Sequence, residues 1–273
     1  VTAVPGYGVG IGWRPEIAGF VAALPGLRMV EVVAESVDPG AVPDALSALR
    51  ERGVAVVPHG VALSLGGAAP VDPRRVDRLA AVAAALGAPY VSEHIAFVRA
   101  GGVEAGHLLP LPRTREAVAA MAANTARLQA ELDVPLALEP VAAFLDWPED
   151  ELDEAAFLTE VLDATGALLL LDVANVYANC RNRGTDPLAL LAALPPERVA
   201  YVHVAGGSSH GGIYHDTHTD AVPADVLDLL RALTARRQPP TVLLERDGRY
   251  PPAALLRAEL DAIAAASGHP AVT

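Results

Sequence analysis

The chain has 273 residues, 52% of them hydrophobic and 19% charged, and a formal net charge of −13. That length and apolar content support a large core and exclude a disordered chain, while the acidic balance argues against a general nucleic-acid surface, which needs a basic footprint. All 20 basic residues are arginine, which excludes lysine Schiff bases, P-loop lysines and lysine general bases, and a single cysteine, Cys180, excludes an internal disulfide.

Short β-rich runs alternate with Ala/Leu/Arg-rich helical stretches. In order, the strand runs are YGVGIGW, MVEVVAE, VAVVPHGVALS, YVSEHIAF, PLALEPV, ALLLLDVANV, VAYVHVAG and TVLLERD. The helical stretches between them include VPDALSALRERG, PRRVDRLAAVAAALG, TREAVAAMAANTARLQAEL, DEAAFLTEVLDATG, DPLALLAALPPE and PADVLDLLRALTARRQ. Asp or Pro opens many and Gly closes several, as helix termini require. Strand–helix alternation repeated eight times predicts a single α/β domain over residues 1–273, a (β/α)8 TIM barrel. The competing topology, an open doubly wound sheet, needs a Gly-rich phosphate turn that opens directly into a helix. The glycines of GYGVGIG lie within the first strand instead. The polar insertions AAFLDWPEDELDE and GGSSHGGIYHDTHTD are expected to be loops at C-terminal strand ends, where barrel active sites sit. No basic-then-apolar leader opens the sequence, and no apolar run reaches the ~18 to 20 residues of a membrane span, so a cytoplasmic protein without membrane contact is expected.

Polar side chains collect at the predicted strand ends. Glu35 ends the second run, His59 lies in the third, and Glu93 and His94 lie in the fourth. Glu139 ends the fifth, Asp172 the sixth with Asn175 three residues on, His203 the seventh, and Glu245 the eighth, with Asp216 and His218 in the seventh loop. Four leucines run straight into Asp172, and a lone carboxylate buried there carries a heavy desolvation cost or a raised pKa. Barrel geometry aims these ends at one mouth, where cations would offset the carboxylates and keep the imidazoles neutral. The set is too rich for one ion, so two or three ions about 3.5 to 4 Å apart are expected, bridged by carboxylates. Nitrogen and oxygen ligation without thiolate suits iron, manganese or zinc. Glu93 is expected on the opposite side of its strand from His94, in a structural role, and Glu35 reads equally as a salt-bridge partner. His107, His210 and His215 fall in loops. His269 is expected to be solvated, and Cys180 reads as a small buried hydrophobe.

The order His59, His94, Glu139, Asp172, Asn175, His203, Asp216-x-His218, Glu245 is similar to the ligand order of the xylose-isomerase-like barrels, including endonuclease IV, a trinuclear zinc phosphodiesterase. A closer resemblance is to the MbnB/TglH family. It is carried by GVGIGWR, EVVAES, HGVALSLG, VSEHIAF, HLLPLPRT, LEPVAAF, LLLDVANVYANC, YVHVAGG, DTHTDAVP and LLERDGRYP, spanning residues 8–251. The resemblance implies a xylose-isomerase-like TIM barrel with a mixed-valence centre of two or three iron ions. O2 is the implied co-substrate, and a Cys-containing ribosomally made precursor peptide the implied substrate. One characterised member converts cysteine to an oxazolone/thioamide pair with a small partner protein; another excises the cysteine β-carbon.

Carried onto this chain, His59, His94, Glu139, Asp172, His203, Asp216, His218 and Glu245 stand at ligand positions. Asn175 stands where endonuclease IV has a histidine, which weakens an all-zinc phosphodiesterase reading because an amide is a poorer zinc ligand. Asp172, Asn175, His210 and Arg14 are the candidates for the reaction itself, and Arg14 and Arg246 for holding a peptide carboxylate. The chain departs from the family at Glu35-Ser36 and Glu139-Pro140, where Glu-Asn is usual, and at Arg246, where Trp is usual. It also has AGG at Ala205–Gly207 where AGH is usual; His210 is the candidate replacement for that histidine. The alternatives are a zinc or manganese phosphodiesterase, for which −13 is unfavourable, a non-catalytic metal-binding protein, and a sugar isomerase or epimerase. Isomerases of the xylose type use a lysine that this chain lacks, whereas Glu139 and Glu245 fit an epimerase pair. The resemblance favours the iron- and O2-dependent oxidase.

Overall fold

In the computed structural model, residues 4–273 are described; residues 1–3 of the expected domain lie outside the described residues. The strands are β1 Gly8–Gly12, β2 Met29–Val33, β3 Ala55–His59, β4 Val91–His94, β5 Ala96–Ala100, β6 Val103–Pro110, β7 Leu136–Glu139, β8 Leu168–Asp172, β9 Val199–Val204, β10 Gly206–His210, β11 Ile213–Asp220 and β12 Thr241–Leu244. The α-helices are α1 Ala18–Ala22, α2 Asp44–Glu51, α3 Pro73–Leu86, α4 Arg115–Gln129, α5 Glu154–Thr165, α6 Val173–Arg183, α7 Pro187–Ala193, α8 Ala224–Arg236 and α9 Ala253–Ser267. Asp72, Thr114, Asp153, Asp172 and Asp186 each cap a helix by accepting a backbone N–H, which satisfies one of the donors a first turn leaves free.

Eight parallel strands close in the order β1-β12-β9-β8-β7-β4-β3-β2. The pairing of β1 with β12, Val9 opposite Val242 and Ile11 opposite Leu244, shuts the ring and rules out the open sheet. All eight predicted strand runs supply barrel strands. The remaining strands form two antiparallel hairpins, β5–β6 and β10–β11, at the C-terminal side. They correct two expectations: GGSSHGGIYHDTHTD is largely strand, and YVSEHIAF is not one strand but divides between β4 and β5. Gly101-Gly102 (φ +56° and +80°) and Gly211-Gly212 (φ +58° and +83°) form their two-residue turns, a backbone that glycine adopts without steric cost.

Side-chain alternation decides what faces the barrel axis. Met29, Val57, Tyr90, Ala137, Leu168, Leu170, Tyr201 and Leu243 belong to one buried interior cluster. Their immediate neighbours along the same strands, such as Val30, Val56, Leu169, Val202 and Leu244, pack outward against the helices. Stepping two residues at a time toward the C-terminal end of each inward row reaches Glu31, His59, Ser92 then His94, Glu139, Asp172, His203 and Glu245. Asp172 therefore continues the row Leu168–Leu170. The apolar run looks uniform because its odd and even members serve two different cores.

Leu170 is fully buried in the interior layer beneath the polar mouth. Leu170→Ala is expected to lower the unfolding free energy by about 2 to 5 kcal/mol, read as a lower urea midpoint with an unchanged slope. A loss below about 0.5 kcal/mol would show that this layer is not tightly packed.

Candidate metal centre

The sequence distributes its His and carboxylates over separate strands, and barrel register brings them level. His94 pairs in register with Glu139, and Asp172 with His203. Three overlapping groups result, each with its ligand atoms within 4.8 Å of one another: His59, His94 and Glu139; Glu139, Asp172, His203 and Glu245; and Asp172, Asp216 and His218. Glu139 is common to the first two and Asp172 to the last two. Glu139 Oε2 lies 3.4 Å from His59 Nε2 and 3.3 Å from His94 Nε2, while its Oε1 is 3.5 Å from His203 Nδ1. Glu245 Oε2 lies 2.9 Å from His203 Nδ1 and 3.3 Å from His218 Nδ1. A further group, His218, Glu245 and Asp247, lies toward solvent.

A buried polar layer beneath the groups fixes ring orientation. Ser92 Oγ is 2.8 Å from His59 Nδ1, which leaves Nε2 for the mouth. Glu31 Oε2 is 3.0 Å from His203 Nε2, which leaves Nδ1 for the mouth. Tyr201 Oη lies 2.6 Å from Glu31 and 2.7 Å from Ser92, tying these supports together. His94 Nδ1 lies 3.1 Å from the Gly60 carbonyl. Partners of this kind orient metal-binding imidazoles and raise their basicity. Asp172 has a comparable division of labour. Its Oδ1 caps α6 by accepting from Ala174 N–H at 2.6 Å and Asn175 N–H at 3.1 Å, and its Oδ2 is left over.

Asp216 and His218 arrive on the β10–β11 hairpin, which is moored to α6. The Asn182 side chain acts as a short substitute strand: its Nδ2 donates to the Tyr214 carbonyl and its Oδ1 accepts from Tyr214 N–H, both at 2.8 Å. Arg181 lies over the Tyr177 and Tyr214 rings, and Tyr214 Oη accepts from Gly207 N–H at 2.8 Å. A Cβ at Gly207 would collide with the His215 carbonyl and meet the Tyr214 ring, so this hairpin has no room for a side chain there.

The electrostatics fit cations. Several buried atoms at this mouth have no hydrogen-bond partner: Glu139 Oε2, Asp172 Oδ2, Asn175 Oδ1 and Asp216 Oδ1. Each such atom costs about 1 to 3 kcal/mol if nothing meets it. Burial, followed by the charge of Asp216, pushes Asp172 up to about 7. Burial alone would lower the imidazoles, but carboxylates outweigh it: Glu139 and Glu93 hold His94 up at about 9, and Glu31, Glu245 and Glu139 hold His203 well above the ordinary range. His218 is raised in the same way by Glu245 and Asp216. The cation-free mouth thus retains protons that bound metal would replace.

The mouth opens into a cavity of about 510 Å3. His59, His94, Glu139, Asn175, Asp216, His218, Glu245 and Arg14 line it; Asp172 and His203 lie deeper, at 1% and 0% exposure. Arg14 pairs with Asp247 at the rim. His107 also lines the cavity, whereas His210 stands exposed at the end of β10, opposite Ile213, away from the cluster. The hairpin geometry carries it outward. Arg246 faces the other way from Glu245, donating to the Asp220 carbonyl and lying 3.5 Å from Glu259, so it does not reach the cavity. Glu93 faces away from the axis and accepts from Leu63 N–H at 3.0 Å, and its Oε1 lies 3.5 Å from His94 Nδ1. Glu35 takes Val61 N–H at 3.0 Å rather than an arginine. His269 is half-buried with its Nε2 2.9 Å from the Pro239 carbonyl, not solvated. Sequence reasoning missed Glu31, whose signal was a charge inside the apolar run MVEVVAE, and Asp247, which follows Glu245 in ERD.

The fold is a xylose-isomerase-like TIM barrel, and its mouth gathers buried His/carboxylate groups that could hold metal ions. Solved structures share the fold: the xylose isomerase domain protein from Planctomyces limnophilus has a TM-score of 0.65 at 15% identity, covering 96% of this chain and 98% of that one. Endonuclease IV from Thermus thermophilus has a TM-score of 0.63 at 22% identity, covering 94% and 98%. A sequence profile of the RiPP precursor modification enzymes MbnB/TglH/ChrH matches residues 8–267, and the chain belongs to this enzyme family. A UPF0276 protein of Streptomyces avermitilis is 53% identical over 263 residues; the match takes in 94% of this chain and spans 54% of that relative's length. Among the described residues no helix is long and apolar enough to cross a membrane.

Two outcomes are expected. Metal binding should weaken as the pH falls below about 9, because His94, held up at about 9, and His203 and His218, both raised, must lose protons to bind. Titration calorimetry in buffers of different ionisation enthalpy should show net proton release, and no release would contradict the protonated mouth. Asn182→Ala should loosen the hairpin and lower by about one the number of metal ions the chain can take up, because Asp172, Asp216 and His218 would no longer be held together, read by elemental analysis after metal loading. An unchanged metal count would show that Asn182 does not set the hairpin's position.

Proposed function

We propose that this chain is a multinuclear non-haem iron enzyme that uses O2 to modify a cysteine in a ribosomally synthesised precursor peptide. One observation carries the reading: three His/carboxylate groups share Glu139 and Asp172 at the floor of a cavity of about 510 Å3. Shared carboxylates suit ions held close together, and the nitrogen and oxygen ligand set is one that iron accepts. Membership of a family of precursor-modifying enzymes supports a peptide substrate. Cys180 is not that cysteine, because it is buried on α6 and does not line the cavity.

His59, His94 and Glu139 would hold one ion, and Glu139, Asp172, His203 and Glu245 a second. Asp172, Asp216 and His218 would hold a third, with the unpartnered Asn175 Oδ1 close by in the same mouth. Bound iron supplies the one-electron chemistry with O2 that no side chain here can provide. The protein's own part is orientation and exclusion of water. Ser92, Glu31 and Tyr201 lock the rings of His59 and His203. Leu109 and Phe144 are apolar members of the cavity lining, and the paired Arg14 and Asp247 are polar ones.

Purification without air from cells grown on iron-57, with elemental analysis and Mössbauer spectroscopy, tests the reading. Two or three irons per chain in a ferrous/ferric mixture are expected, with O2 uptake when a Cys-containing precursor peptide is added. Stoichiometric zinc without iron would overturn the oxidase and favour a phosphodiesterase. A folded, metal-free chain would remove the basis for either.

A further inference from the structure

We propose that the cavity wall made by Leu109, Phe144 and Leu145 is a specificity subsite for one large apolar side chain of the peptide, adjacent to the residue that reaches the metal ligands. The inference rests on the functional reading above and adds a property of the substrate.

Phe144 and Leu145 are consecutive, 62% and 49% exposed, and both line the cavity. Large apolar side chains left in water beside a polar cluster mark a binding surface. Their exposure is imposed by bracing. Asn179, buried on α6, accepts from Ala143 N–H at 2.8 Å and donates to the Val141 carbonyl at 3.2 Å. Asn175 donates to the Pro140 carbonyl at 3.1 Å, and Trp147 Nε1 to the Pro110 carbonyl at 3.0 Å. Arg113 and Arg183 both hold Asp146 at 3.0 Å. The segment that follows β7 is thereby pinned on both sides of Phe144, and the ring stays at the cavity. Its outer neighbour is the His215 ring, 5.1 Å away between centroids, which links this wall to the β10–β11 hairpin.

The same cavity is also lined by Asp216, His218 and Asp247, and Arg14, the one guanidinium among the described residues lining it, is already paired with Asp247. An acidic side chain against Phe144 and Leu145 would lose water beside apolar carbon and find no unpaired guanidinium among the described residues lining the cavity. A large apolar side chain would take Phe144 and Leu145 out of water. The wall therefore selects for one chemistry and against the other, as specific sites do. Because Phe144, Leu145 and the His/carboxylate side chains line one cavity of about 510 Å3, a peptide can set one side chain against the apolar residues while its neighbour reaches the ligands.

The test uses the metal-loaded full chain and a pool of synthetic decapeptides with a central cysteine and randomised flanks, beside a second pool with serine in its place. Peptides retained through size-exclusion are identified by mass spectrometry. Enrichment of Leu, Ile, Met or Phe by about tenfold at one position beside the cysteine is expected, with depletion of Asp and Glu there. The variant Phe144→Ser/Leu145→Ser should abolish that enrichment while keeping metal content, melting temperature and the preference for cysteine over serine. Both side chains are exposed, so the variant is expected to fold. No positional apolar preference, or one unchanged in the variant, overturns the subsite. An intact apolar preference with no preference for cysteine overturns the cysteine reading and leaves the subsite standing. No retention of any peptide overturns both.

Discussion

The structure depends on one constraint: carboxylates and imidazoles are buried within a few ångströms of each other and need added positive charge. Glu139, Asp172, His203 and Glu245 are nearly inaccessible, and among the described residues no arginine is paired with any of them. In a cation-free state protons must serve, which is why Asp172 and His203 are both raised. A core that only had to fold would not crowd such groups together, because buried polar atoms without partners are costly. Metal ions would meet the deficit at every orphaned atom at once.

The rest of the molecule holds that arrangement in place. The apolar interior from Met29 to Leu243 is the platform on which the polar layer sits. Glu31, Ser92 and Tyr201 form an intermediate tier that turns two imidazoles toward the mouth. Helix α6 does three jobs along its length. It begins on Asp172, presents Asn175 and Asn179 to the segment after β7, and ends by mooring the β10–β11 hairpin through Asn182. One helix therefore couples Asp172, the apolar wall and the hairpin that brings Asp216 and His218. This follows the division common in barrels, where strands supply a stable base and the βα segments supply chemistry.

Much of this was legible in the chain. The alternation of strand and helix runs predicted the barrel, and period two within each run decided which residues face inward. His59, His94, Glu139, Asp172, His203 and Glu245 could be picked out because each sits at the end of an apolar run. Glu31 escaped because it lies in mid-run, although the reasoning applied to Asp172 applies to it equally. The two hairpins escaped although Gly101-Gly102 and Gly211-Gly212 are strong turn signals, because the flanking strands are short and polar and their periodicity is weak. His210 looked suitable by residue type, and only the hairpin's geometry placed it in solvent.

Local sequence thus determined the fold class, the inward rows and most of the His and carboxylate residues gathered at the mouth. These depend on chain periodicity and on which residues tolerate burial, and both are properties of short segments. Tertiary structure alone decided which carboxylates are shared, which ring nitrogen faces the mouth, and which loop residues reach the cavity. Those outcomes depend on register between strands distant in sequence, such as His94 beside Glu139 and Asp172 beside His203, and on side-chain moorings such as Asn182 to Tyr214. No periodicity encodes them, because distances between residues far apart in sequence exist only once the barrel has closed.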